Sequence, residues 1–287
     1  MNEADKPIEY IILDSTKQSL DKDILFPYAW DEIMCRHMQA DSACLLHIWQ
    51  HPLAFVLGLR DRLLPNIIKA KEWLQEEGYD VAVRNSGGAA VPLDLGVVNL
   101  SLIVPHTRQS PHFRDDFQRM VKILKQSLSS FTSEIKVGEI NGSYCPGEFD
   151  LSLRGLKFCG ISQRRQASGY VIQAFVNVLD LGDARAEIVS QFYEKATLPH
   201  NDLMQRQYPA VKKECMSSLN ELIGIINIQA FVKCVIDSFR EERMQLVEVQ
   251  AEGELSLNKL NSIDLYPRDE IEQMKVKLRN RYAIDLQ

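Results

Sequence analysis

The six cysteines of this chain (Cys35, Cys44, Cys145, Cys159, Cys215 and Cys234) include no Cys-x-x-Cys pair. Without that spacing they offer neither a zinc site nor a disulfide framework, and they read as reduced intracellular thiols. No Gly-x-Gly-x-x-Gly precedes a helix and no Walker loop is present, so both common phosphate fingerprints are missing. No apolar run approaches the ~20 residues of a membrane span. The opening residues, Met-Asn-Glu-Ala-Asp-Lys, lack the basic-then-apolar order of a signal peptide. Internal repeats and low-complexity tracts are absent. Positive charge is the scarcer sign: 33 Lys and Arg against 39 Asp and Glu, a formal net charge of −6. That balance argues against a general nucleic-acid binder. The expectation is a soluble, cytoplasmic chain with no nucleic-acid or membrane partner.

What remains is an ordinary globular composition, 45% hydrophobic and 25% charged over 287 residues, enough for a sizeable core. Alternation and turn residues predict strands near 8–13, 45–49, 54–59, 80–84, 89–94 and 98–105. A turn at His51-Pro52 joins the second and third of these. Further short strands are expected at 135–138, 149–153, 156–163 and 169–179, the last two forming a hairpin around Arg164–Ser168. Helical periodicity runs from Pro27 to about Ala40, over 63–76 with Gly78 as its stop, over 113–131 and over 180–193. Beyond Met216 the pattern is helical, notably at 228–243 and 269–281. Short adjacent strands favour an α+β fold, with a mixed or antiparallel sheet and helices on one face. The mixed stretch 197–215, with Pro199 and Pro209, divides a sheet-bearing unit, 1–215, from a helical C-terminal segment, 216–287, packed on it.

Three short segments carry chemistry. The first, Arg84-Asn85-Ser86-Gly87-Gly88-Ala89-Ala90, lies between two strands. Consecutive glycines let the backbone approach a ligand closely, and successive N–H groups in such a turn form an anion-binding concavity. Gly-Gly alone is more often a plain tight turn. The second, Tyr144-Cys145-Pro146-Gly147-Glu148-Phe149-Asp150, sets a cysteine among polar and turn-forming residues. Structural cysteines usually sit among apolar neighbours, as Cys234 does, and a lone cysteine is not diagnostic of a nucleophile. The third, Lys157-Phe158-Cys159-Gly160-Ile161-Ser162-Gln163, starts a strand with a lysine between apolar residues. Alternation makes Cys159 a core or pocket-wall residue, and a lone lysine is usually solvated.

Together these segments resemble the acyl-pocket segments of the lipoate- and biotin-protein ligase superfamily. The run Arg84–Leu102 is similar to its Arg-Arg-x-Gly-Gly-Gly-Ala-Val … Asp … Asn-x-Ser pattern, matched at Arg84, Gly87, Gly88, Ala90, Val91, Asp94, Asn99 and Ser101. Asn85 stands where a second arginine is usual, and Ala89 where a third glycine is. Lys157, Gly160 and Gln163 match Lys-x-x-Gly-x-x-Gln. The Cys145 segment with the Lys157 segment resembles, over about residues 28–250, the Gram-positive amidotransferase branch of that superfamily.

The resemblance implies a biotin/lipoate protein ligase catalytic-domain fold and an acyltransferase of protein lipoylation. Octanoyl would leave the lysine of glycine cleavage H protein, form a thioester on Cys145, and pass to the lysine of lipoyl domains in 2-oxoacid dehydrogenase complexes. It implies Cys145 and Lys157 as catalytic residues and Arg84, Gly87, Gly88, Ala89 and Gly160 as substrate-binding ones. No cofactor, nucleotide or metal is implied, and a monomer is expected. Lys157 would point into the pocket, donating to the acyl carbonyl or taking the Cys145 proton. A cysteine–lysine pair is favoured over pairing with His106 or His112. Val83, Ala90, Val91, Phe158 and Ile161 are expected pocket walls, and Arg164-Arg165 a charged tip that meets an acidic lipoyl domain. Three alternatives stay open: an acyl-carrier-protein-dependent octanoyltransferase, an ATP-dependent lipoate ligase, and a non-catalytic relative.

Overall fold

The computed structural model describes residues 9–17, 21–106, 113–179, 182–197, 208–241, 245–250 and 267–284. His112, Pro199 and most of the 197–215 stretch lie outside them. The frame is an eight-stranded mixed sheet and a three-stranded sheet beside it. In chain order the strands are β1 (Glu9–Asp14), β2 (Cys44–Trp49), β3 (Leu53–Leu57), β4 (Asp80–Val83), β5 (Val91–Asp94) and β6 (Val97–Pro105). There follow β7 (Lys136–Val137), β8 (Leu151–Leu153), β9 (Leu156–Arg165), β10 (Gly169–Asn177) and β11 (Gln245–Gln250). The helices are α1 (Leu25–His37), α2 (Ile67–Glu76), α3 (Phe113–Ser127), α4 (Gly182–Thr197), α5 (Leu219–Ile223), α6 (Ile228–Glu241) and α7 (Arg268–Arg281).

The large sheet runs β11-β1-β2-β6-β10-β9-β8-β7 and the small one β4-β3-β5. β1 pairs in parallel with β2 and β11, and the other pairs of the large sheet are antiparallel. β9 and β10 form the expected hairpin, closed where Gln166 N–H donates to Gly169 O at 2.9 Å. Two features depart from the sequence reading. The strands flanking His51-Pro52 do not pair: β2 lies in the large sheet and β3 in the small one. And the large sheet is covered on both faces, because its strands are apolar on both. Along β1, Ile11 and Leu13 join one core with α1, while Tyr10 and Ile12 join the other with α3 and α6.

α1 shows how composition fixes place. Leu25 to Cys35 is almost entirely buried, in the core that the two sheets share. It starts two residues before Pro27, which falls in the first turn, where a missing N–H is harmless. The free amides of Ile24 and Leu25 are taken by the Asp80 and Asp23 carboxylates at 2.7 and 2.9 Å. α7 packs over this region, its Lys275 ammonium on Asp21 and Asp23 at 2.6 and 3.2 Å. The C-terminal segment is not helical throughout. α5 carries a capping box, Ser218 with Glu221, but β11 is a strand and extends the large sheet beyond β1.

Candidate active site

β4 ends at Val83 and hands the chain to the glycine turn, which crosses the mouth of a narrow slot between the two sheets. Tyr28, Trp49, Val91, Leu93, Ile161 and Phe175 give the slot apolar walls, and Asn99, Ser101 and Gln173 give it a polar strip along the large sheet. Of the walls expected from sequence, Val91 and Ile161 line it. Val83 and Ala90 sit in the core behind, and Phe158 points into the opposite core. Gly160 also lines the slot. A methyl group there would lie 2.4 Å from the Phe175 ring, so glycine lets that ring lie flat on the strand.

The glycine turn is built around Arg84. Its side chain is buried, and one guanidinium nitrogen, Nη2, donates to Ala89 O at 2.7 Å and to Cys145 Sγ at 3.2 Å. Gly88, with φ of +98°, passes so close that a Cβ would meet Arg84 Nη2 at 2.4 Å and Cys145 Sγ at 2.7 Å. Gly87 and Gly88 are exposed, so the turn is also the solvent side of the site. Gly58, unremarked in the sequence, supports it from below. A Cβ on Gly58 would lie 2.1 Å from Gly88 O. Tyr193 ties the exit, its hydroxyl accepting from Ala90 N–H at 3.1 Å and donating to Asp61 at 3.0 Å.

Cys145 is buried, in the loop that leads to β8, with a φ of +45°. This is the left-handed region, uncommon for a residue with a side chain. What holds it there is Lys157. The lysine is the second residue of β9, opposite Ser152 of β8 and bridged to Met216. Its fully buried ammonium donates to Tyr144 O at 2.9 Å and Cys145 O at 2.6 Å, and pairs with Asp150 Oδ2 at 2.7 Å. Asp150 in turn accepts from Gly147 N–H at 2.9 Å. Burial pushes the Asp150 carboxyl up to about 6, with Lys157 opposing.

Sequence reasoning assembled Arg84, Gly87, Gly88, Ala89, Cys145, Lys157 and Gly160 from three segments, and the structure brings all three to one place. It differs in who touches whom. The thiol meets Arg84, while Lys157 meets the backbone on either side of that thiol. Among the described histidines, His106 is engaged elsewhere, its Nε2 on Gln166 O at 2.9 Å. Cys159 is a core thiol, pushed well above its ordinary value by burial.

Of the two departures from the ligase pattern, Ala89 offers its carbonyl to Arg84 and Asn85 is held through its side chain. Asn85 is buried, its amide donating to Glu32 at 2.7 Å. Arg164 closes the network, donating to Glu32 at 3.0 Å and to Asn85 O at 2.9 Å. Arg165 pairs with Asp116. The two adjacent arginines expected at an open tip are thus braced internally. Asp150 and Glu32 were missed as site residues. Asp150 stood inside the quoted Cys145 segment, but nothing local marks it as the lysine's partner.

Comparison with known proteins fits this geometry. The model of the lipoyl protein ligase A/B catalytic domain matches residues 23–240. The chain belongs to that family. Family members include the octanoyl-[GcvH]:protein N-octanoyltransferase of Geobacillus kaustophilus, 41% identical over 198 residues, 69% of each chain. That of Bacillus velezensis is 34% identical over 245 residues, 82% of this chain and 85% of its own. Among solved structures, lipoate-protein ligase A bound with ATP superposes with a TM-score of 0.66 at 16% identity, covering 97% of this chain and 96% of its own. The putative lipoate protein ligase Ta0514 from T. acidophilum with bound lipoic acid gives 0.65, also at 16% identity and covering 97% of both chains. At such identity these structures speak for the shared fold. No described helix of this member is long and apolar enough to cross a membrane.

Proposed function

We propose that this chain is an octanoyl-[glycine cleavage H protein]:protein N-octanoyltransferase that works through a thioester on Cys145. Relatives of that name at 34–41% identity support the activity. The observation that carries the cysteine's role is its setting: a thiol at the mouth of an apolar slot, facing a buried guanidinium. In the first half-reaction the Cys145 sulfur attacks the amide carbon of octanoyl-lysine on H protein. The C–S bond forms, the C–N bond breaks, and the leaving lysine takes up a proton. In the second, the neutral amine of a lipoyl-domain lysine attacks the thioester, loses its proton and releases the cysteine. Donor and product are both alkyl amides, so no ATP is consumed.

The slot, narrow as it stands, would widen to take the chain and so supply recognition. Burying about six methylenes at ~0.8 kcal/mol each contributes roughly 5 kcal/mol. Asn85, where ligases carry arginine, is committed to Glu32 and Arg164, which favours transfer over adenylate chemistry. In this reading Arg84, Gly87, Gly88, Ala89 and Gly160 shape the acyl site, and Lys157 serves catalysis by fixing the cysteine loop. Residues 1–215 carry the chemistry, 216–287 pack on them, and the enzyme acts as a cytoplasmic monomer.

The test mixes the protein with octanoylated H protein and an unmodified lipoyl domain, without ATP, and weighs both carriers by intact-protein mass spectrometry. Octanoyl is expected on the lipoyl domain with wild type and not with Cys145→Ala. Transfer that requires free octanoate and ATP, and survives loss of Cys145, overturns the reading.

A further inference from the structure

We infer that Arg84 is the residue that holds Cys145 as a thiolate, and that Lys157 reaches the same cysteine only through its backbone. This rests on the reading of Cys145 as a nucleophile. Two observations carry it. First, Arg84 Nη2 lies 3.2 Å from the sulfur, a charge-assisted contact, while the three acceptors of Lys157 are Tyr144 O, Cys145 O and Asp150. An ammonium has three protons, and these three oxygens account for all of them.

Second, Arg84 is buried, and no carboxylate among the described residues forms an ion pair with it. A buried guanidinium needs a counter-charge. The groups facing it are Cys145, the Tyr28 hydroxyl and, at longer range, Asp61. Asp61 is already occupied by Gly58 N–H and the Tyr193 hydroxyl. Burial pushes Tyr28 up to about 12, with Arg84 opposing, so the phenol stays neutral at working pH. That leaves the sulfur as the anion that can form in contact.

The thiol proton leaves toward solvent past the exposed Gly87-Gly88 turn. The sulfur keeps its electron pair and remains as a thiolate beside Arg84 until an acyl carbon arrives. Arg84 is thus a positioning and charge-stabilising residue for the nucleophile. Lys157 sets the strained backbone that aims it.

The test is the pH dependence of Cys145 alkylation by iodoacetamide, followed by mass spectrometry of the Cys145 peptide. It needs no acyl substrate, so it can fail while octanoyl transfer is intact, and the reverse. An opposite charge in contact shifts a thiol by about one unit or more. Arg84→Gln is therefore expected to move the alkylation midpoint up by about one unit. Arg84→Lys, with a shorter single-point cation, is expected to fall between. The paired variant Asp150→Asn/Lys157→Met leaves no lone buried charge and is expected to move the midpoint less than Arg84→Gln does, because Lys157 acts on the sulfur only through the loop. Thermal melts establish which variants fold. Should Arg84→Gln not fold, Arg84→Lys carries the test alone, and a midpoint equal to wild type then overturns the inference. So does an unmoved Arg84→Gln midpoint, or a larger shift in the Lys157 variant than in the Arg84 variants.

Discussion

Replacing Lys157 with methionine separates a structural lysine from a catalytic one, and the structure sets the size and pH dependence of the effect. The side chain is fully buried and gives its three protons to Tyr144 O, Cys145 O and Asp150. Methionine fills most of the volume and makes none of these contacts. The larger loss is the abandoned Asp150 carboxylate, because breaking a buried pair from one side costs about 3–5 kcal/mol. At roughly 2 °C per kcal/mol for a chain of this size, the melting temperature should fall by about 6–10 °C at pH 8.

The penalty must also depend on pH. Asp150 has a folded value of about 6 against an unfolded 3.8, so its burial lowers stability as pH rises from near 4 to near 6. Without Lys157 the folded value climbs further. The variant then continues to lose stability above pH 6, where wild type has levelled off. The gap between their melts should therefore be small at pH 5 and widest at pH 8. The double variant Asp150→Asn/Lys157→Met should regain most of the loss at pH 8. A gap under 1 kcal/mol that is flat from pH 5 to 8 would refute the argument that Lys157 is tied up in holding this loop.

Two further outcomes follow from buried groups. Asp31 in α1 accepts from Gln173 and Ser101 at 2.5 and 2.9 Å, and burial lifts its carboxyl to about 7. Its neutral form favours the fold, so the stability it lends is full below about 4 and lost as pH rises through 7. Asp31→Asn should raise the melting temperature at pH 8 and hardly change it at pH 4.5. Gly160→Ala places a methyl group 2.4 Å from the Phe175 ring, which stacks on Tyr144 next to the nucleophile. Overpacking of this kind costs about 1–3 kcal/mol, and transfer of octanoyl should fall more than transfer of butyryl when both H-protein donors are compared.

The sequence carried more of the site than of the architecture around it. Strands and helices were legible where periodicity is local, as in β9, β10 and α3. The separation of β2 from β3 was not, because a turn at His51-Pro52 looks the same whether its strands pair or part into two sheets. β11 was hidden in a charged tail whose pattern reads as helical, and its partner β1 lies more than 230 residues earlier. Residue types told of the cysteine, the lysine and the glycine turn. They did not tell that Arg84 rather than Lys157 reaches the sulfur, since that depends on a backbone bend at Cys145 that no single residue announces. Nor could they pair Glu32 with Asn85 and Arg164, three groups from three elements.

The pairing of β1 with β11 also has a consequence for how the molecule comes into being. β1 is made well before its outer neighbour, which follows about 230 residues later. At roughly 5–20 residues per second of synthesis, that edge stays bare for about 10–50 s on the ribosome. A bare parallel edge invites the wrong strand, from the same chain or a neighbouring one. A nascent chain stalled or cut before Gln245 would carry this liability permanently.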